Sequence, residues 1–230
     1  MMYPEERNVV MKKLSCGILL ALVLMVAGSA KGDLSVGASV DENGIRQFHL
    51  AIGKFYNVPE RAVTVIRKKG ISDEELPVVF FVSERAGVKP AAVIELRNLG
   101  KSWLDITLHF GLSPEIYYVP VKGDPGPPYG KAYGYFKKHP RAEWRQIVLS
   151  DVEVVNLVNL RMVSKLYGIE ADEVIKWRAE GKHFAHVNVN AKEHRDKAKA
   201  QAKAAKSKGS KQRADADNNG KGEGKGKKEK

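Results

Sequence analysis

His183 and His186 stand three residues apart on a stretch with helical spacing and could both reach one divalent cation. Glu193 or His194 would complete the tetrahedral set that zinc takes from nitrogen and oxygen ligands. The same stretch carries Lys182, Lys192 and Arg195, whose charges oppose a cation, so the pattern reads better as an ordinary polar helix face without a metal. Asp105 and His109, four apart, have the spacing of an acid–base pair, which is equally the spacing of a plain helix-surface contact. No serine lies in a nucleophile-elbow context. Gly123-Asp124-Pro125-Gly126-Pro127-Pro128 lacks the free backbone amides that a phosphate cradle requires. The expectation is a chain with no catalytic residues and no cofactor.

The better binding candidates are Tyr129, Lys131, Tyr133, Tyr135, Lys137 and Lys138. Tyrosines interleaved with lysines can stack on sugars or bases while the ammonium groups hold anions. Alternatively, the tyrosines pack into the groove between the flanking blocks and clamp them. Both readings place these residues in a long loop over 120–149, because the prolines from Pro120 to Pro140 leave no room for a regular element.

The elements that position these residues are written as a repeat. Aligning Gly87 on Gly168 sets an offset of 81, at which Val82-Ser83 meets Val163-Ser164, Val93-Ile94 meets Val174-Ile175, Arg97 meets Arg178, Gly100-Lys101 meets Gly181-Lys182, and Trp103 meets Phe184. An offset of 30 adds an earlier copy, with Asn57 for the turn glycine, Arg67 for Arg97 and Gly70 for Gly100. Asn tolerates the left-handed conformation better than most residues. Each copy predicts helix, tight turn, short helix, glycine stop, helix. Ser72-Asp73-Glu74-Glu75 and Ser150-Asp151-Val152-Glu153 read as capping boxes, and Ser102 as a helix N-cap. Gly111-Leu112-Ser113-Pro114-Glu115 is a degenerate further copy. Arg97 and Arg178, near the ends of short helices, read as charges favourable to the helix dipole. The predicted fold is all-α, an array of helical hairpins or three-helix units. The expected blocks are two full copies and the degenerate one over 31–119, the loop over 120–149, and a third full copy over 150–190.

The ends differ in kind. Arg7, Lys12 and Lys13, then an apolar run from Ile18 to Ala27, then Gly28-Ser29-Ala30, have the layout of a secretory signal peptide over 1–30, with Met11 as an alternative start. The run is shorter than the roughly 20 residues that span a bilayer, so cleavage and a periplasmic or secreted protein without a transmembrane segment are expected. Cys16, the single cysteine, would leave with the signal, which excludes disulfides and thiolate sites from the mature chain. Residues 191–230 hold twelve Lys and two Arg against six acidic residues, most of the formal net charge of +12. This low-complexity tail reads as disordered from Lys206 onward. It is either a solubilising tail or an arm that contacts polyanions, meaning nucleic acid, acidic polysaccharide or anionic head groups.

Val82-Ser83-Glu84-Arg85-Ala86-Gly87-Val88-Lys89-Pro90-Ala91-Ala92-Val93 resembles the helix-turn-helix of Lac-repressor-like transcription factors. That resemblance implies a second helix lying in the major groove, where this chain has Ile94-Glu95-Leu96 and Ile175-Lys176-Trp177. The body as a whole resembles a group of exported bacterial proteins of uncharacterised function, with similar blocks at Gly100-Lys101-Ser102-Trp103, at 129–135 and at Asn156-Leu157-Val158, which implies localisation and fold. The function expected is that of an exported, non-enzymatic binding or structural protein of the cell envelope that contacts anionic polymers. The alternatives are a helix-turn-helix nucleic-acid-binding protein and a metal-dependent or hydrolytic periplasmic enzyme.

Overall fold

A computed structural model describes residues 41–219, with side chains to Ala205. The expected signal segment over 1–30 lies outside the described residues. The described chain is all-helical and contains no strand.

Helix α1 (Glu42–Tyr56) is capped by Asp41 and ends on Asn57 in the left-handed region (φ 53°); α2 (Glu60–Arg67) follows. Helices α3 (Leu76–Ala86) and α4 (Pro90–Asn98) are joined through Gly87 at φ 68°, and α7 (Asp151–Tyr167) and α8 (Ala171–Ala179) through Gly168 at φ 68°. The same geometry therefore closes all three pairs, and each time an amide two residues past the first helix reaches back to a carbonyl of its last turn. Gly70, Gly100 and Gly181 also take positive φ, so the chain leaves each short helix by one kind of corner. The corners at Gly100 and Gly181 lead into α5 (Trp103–His109) and α9 (Phe184–Asn219). Ser102 with Asp105 and Ser150 with Glu153 complete reciprocal capping boxes at the starts of α5 and α7.

Helix α7 is the centre. Ten of its seventeen residues are buried, and it packs against α1, α3, α5, α8 and α9. Its packing on α3 joins Val78, Val79, Phe81 and Val82 to Leu157, Val158, Leu160 and Met162 in one core. The first helix, α1, packs along the last, α9, so the array closes on itself.

Three expectations are corrected. Residues 120–149 are not a loop throughout: after an irregular segment containing the prolines 125, 127 and 128, they form α6 (Gly130–Lys138) and a 3₁₀ helix (Arg141–Gln146). The prolines end before Tyr129, and Tyr129, Ala132, Tyr133 and Phe136 recur at i, i+3, i+4 and i+7, a helical apolar stripe. Second, α9 crosses the expected boundary at 190/191 and continues through the segment read as disordered after Lys206, as far as Asn219. Over 197–206 its run of Ala, Lys and Gln has high helix propensity and needs no apolar face to continue a helix already nucleated by the core. Third, α3 starts at Leu76, because Asp73, Glu74 and Glu75 form a turn.

Candidate functional site

That acidic turn organises the arginines the repeat aligned. Asp73 Oδ1 lies 2.8 Å from Arg67 Nε and 2.6 Å from His49 Nε2, a histidine buried in α1. Glu74 receives both Nη atoms of Arg178 at 3.3 Å and the backbone N–H of Phe184 at 2.8 Å. Glu75 receives Nε and Nη2 of Arg97 and the indole N–H of Trp103. Three successive carboxylates thus take the three equivalent arginines, one from each helical pair.

Arg97 and Arg178 are matched further. Each donates through Nη1 to the carbonyl four residues on, Lys101 or Lys182, and each guanidinium lies over the ring six residues on, 4.8 Å from Trp103 and 4.6 Å from Phe184. Arg97 also holds Asp151 at 2.6 Å, and Arg178 holds Asn156 Oδ1 at 3.1 Å. With their side chains about one-fifth exposed, Arg97, Arg178, Glu74 and Glu75 border a cleft of about 330 Å³. Burial raises the cost of charge on Glu75, yet hydrogen bonds from Ser72, Arg97 and Trp103 outweigh it and hold the carboxyl below its ordinary value. Arg97 is disfavoured by burial and restored, to above its ordinary value, by Asp151 and Glu75. These arginines neutralise half-buried carboxylates, so their reading as helix-dipole charges is incomplete.

The histidine and acid–base candidates are drawn into local contacts. His183 Nδ1 lies 3.0 Å from Glu74 Oε1 beside Arg178, and among the described residues no group of three or more His, Cys, Asp or Glu side chains is placed to hold a metal ion. His194 lies edge-on to Trp177. Asp105 is the reciprocal partner of Ser102 in the α5 cap, and His109 packs edge-on against Phe110.

The tyrosine candidates divide. Tyr129 is fully buried and Tyr133 is 8 % exposed, with its hydroxyl donating to Val119 O at 2.6 Å. Burial pushes both phenols well above their ordinary range. Of the two places expected for them, a stacking surface or a packed groove, they take the packed one, on the apolar stripe of α6. Tyr133 joins Tyr118, Phe136 and Trp144 in an aromatic cluster that clamps α6 to the body, with Tyr118 and Trp144 rings 4.6 Å apart. Lys131, Lys137 and Lys138 stay outside; Lys131 lies over the half-buried Tyr135 at 6.0 Å, and Lys137 pairs with Asp124 at 2.9 Å.

Helix α9 presents a basic stretch beyond the core. Phe184, Val187, Asn188 and Ala191 are buried, Lys192 donates to Gln47 of α1 at 3.2 Å, and Arg195 lies over Tyr167. From Asp196 to Ala205 every residue is exposed. Lys192, Lys199 and Lys203 fall at i, i+7 and i+11, so their charges share one stripe of the helix.

Comparison with protein-family models, with curated proteins and with solved structures found no match.

Proposed function

We propose that the protein is an exported, non-enzymatic binding or structural component of the bacterial cell envelope that contacts anionic polymers through its C-terminal helix. The observation that carries this reading is the continuity of α9. Its first turns are locked into the core, and the same helix then runs out exposed with a lysine stripe, which holds the charges at fixed spacing. A basic helix of this kind binds polyanions by displacing their counterions, so affinity falls steeply with salt.

The nucleic-acid alternative gains nothing from the paired helices. Ile94 and Ile175, at the positions that would enter a groove, are buried, and Arg97 and Arg178 are occupied by carboxylates. The enzymatic alternative finds its candidate Asp105 and His183 engaged in a helix cap and beside Glu74.

The test deletes residues 198–230, because a cut at 191 would remove groups packed on α1 and Tyr167. Full-length and truncated proteins are compared for retention on heparin and on duplex DNA as salt rises. Loss of retention on both polymers after truncation is expected, with a shallower salt slope; undiminished retention would exclude the arm as the contact. Sequencing the mature N-terminus checks export: Lys31 is expected, and a cytoplasmic protein retaining Met1 or Met11 would return the nucleic-acid reading.

A further inference from the structure

Arg161, on the central helix α7, is a partly buried arginine without an acidic partner. Arg97 faces two carboxylates and Arg178 faces one, whereas no carboxylate lies within ion-pair distance of Arg161 among the described residues. Both of its hydrogen bonds are made by Nη2, to the carbonyls of Ile116 and Tyr118 at 2.7 Å. Its Nε is buried with no acceptor, and the guanidinium lies 5.3 Å from the Phe81 ring centre. Burial and the like charge of Arg85 lower its basicity. An uncompensated guanidinium in a protein interior is costly, and an incoming anion relieves that cost.

Arg161 lines a cleft of about 350 Å³, open on one side. Lys165, exposed and one turn further along α7, lines it too, as do Pro120 and the start of α8 at Glu170 and Ala171. Helix α8 has no side-chain N-cap. The acid at the rim, Glu170, is 3.2 Å from Lys122 Nζ, so its charge is locally balanced.

We propose that this cleft binds one anionic oxygen group, a carboxylate or a phosphate, carried by a ligand no larger than a single sugar or amino-acid unit, with Arg161 and Lys165 as the charge partners. The site does not depend on the basic arm. It would select a chemical group where the arm selects only charge density.

Isothermal titration of the full mature chain with inorganic phosphate, and separately with D-glucuronate, tests it and tells the two sources apart. Saturable one-to-one binding of at least one probe is expected. Lys165→Ala, an exposed substitution that leaves the core alone, should weaken binding by about tenfold, the scale of one lost charge-assisted hydrogen bond. Glu170→Gln should tighten it, and Arg161→Met should abolish it with the helical spectrum retained. No saturable heat with either probe would overturn the proposal. So would affinity unchanged in both Lys165→Ala and Glu170→Gln, or binding lost only when Lys199 and Lys203 are changed to Gln.

Discussion

Asp73, Glu74 and Glu75 show how far a residue's role depends on what folds against it. In sequence they looked like the acidic half of a capping box; in the fold each answers an arginine, Glu74 from 104 residues away. Arg97→Ala should destabilise the protein by about 2 kcal/mol, below the cost of breaking a fully buried pair, because the half-buried Glu75 and Asp151 lose their counter-charge. Chemical denaturation measures this, and Arg97→Lys should recover only part, since one ammonium cannot reproduce the fork. The pH dependence has a defined sign. Glu75 ionises more readily folded than unfolded, so its contribution is full above its unfolded value of 4.5 and is lost as pH falls through the lower folded value. Denaturation midpoints of Glu75→Gln and wild type should therefore converge below pH 4.5, and a constant gap through the acid range would contradict the pairing. None of this was legible at the residue level. The offset of 81 marked Arg97 and Arg178 as equivalent, but the identity of their partners is a long-range fact that one sequence does not carry.

At the scale of elements, sequence legibility followed the strength of local chemistry. The corners at Asn57, Gly87 and Gly168 and the caps at Ser102 and Ser150 were readable because a left-handed residue or a serine–acid pair acts within four residues. Helix α6 was missed because three prolines just before it outweighed a four-residue apolar stripe that lies among Gly130, Gly134 and charged residues. The extension of α9 past Lys206 was missed for a different reason: without an apolar face and with Gly209 in its course, that stretch offered neither periodicity nor propensity to read. Gly53 makes a prediction that propensity alone gets wrong. Inside a helix, Gly→Ala ordinarily stabilises by about 0.5–1 kcal/mol. At Gly53 an added Cβ would stand 2.8 Å from the Val58 carbonyl oxygen, which the α1–α2 corner holds against the helix. Gly53→Ala should thus lower the thermal midpoint, and a rise would show that the corner yields.

On the scale of the whole molecule, α1 lies along α9 and one acidic turn serves arginines from all three helical pairs. In a linear stack of helical units each unit touches only its neighbours, and such arrays can fray from an end. Here the first and last units share a seam and all three share a clasp, so losing any one removes support from the others. The result is a structure without a loose end inside the core: near-ultraviolet circular dichroism and the fluorescence of Trp103, Trp144 and Trp177 should melt together in a single cooperative transition. Separate midpoints would mean that the clasp does not couple the units. Under the proposal that the arm contacts a polymer, that closure carries a consequence for proteolysis. Cleavage within the packed helices must wait for unfolding, while the exposed arm can be trimmed from a native protein, so the proposed contact is also the part that can be shed.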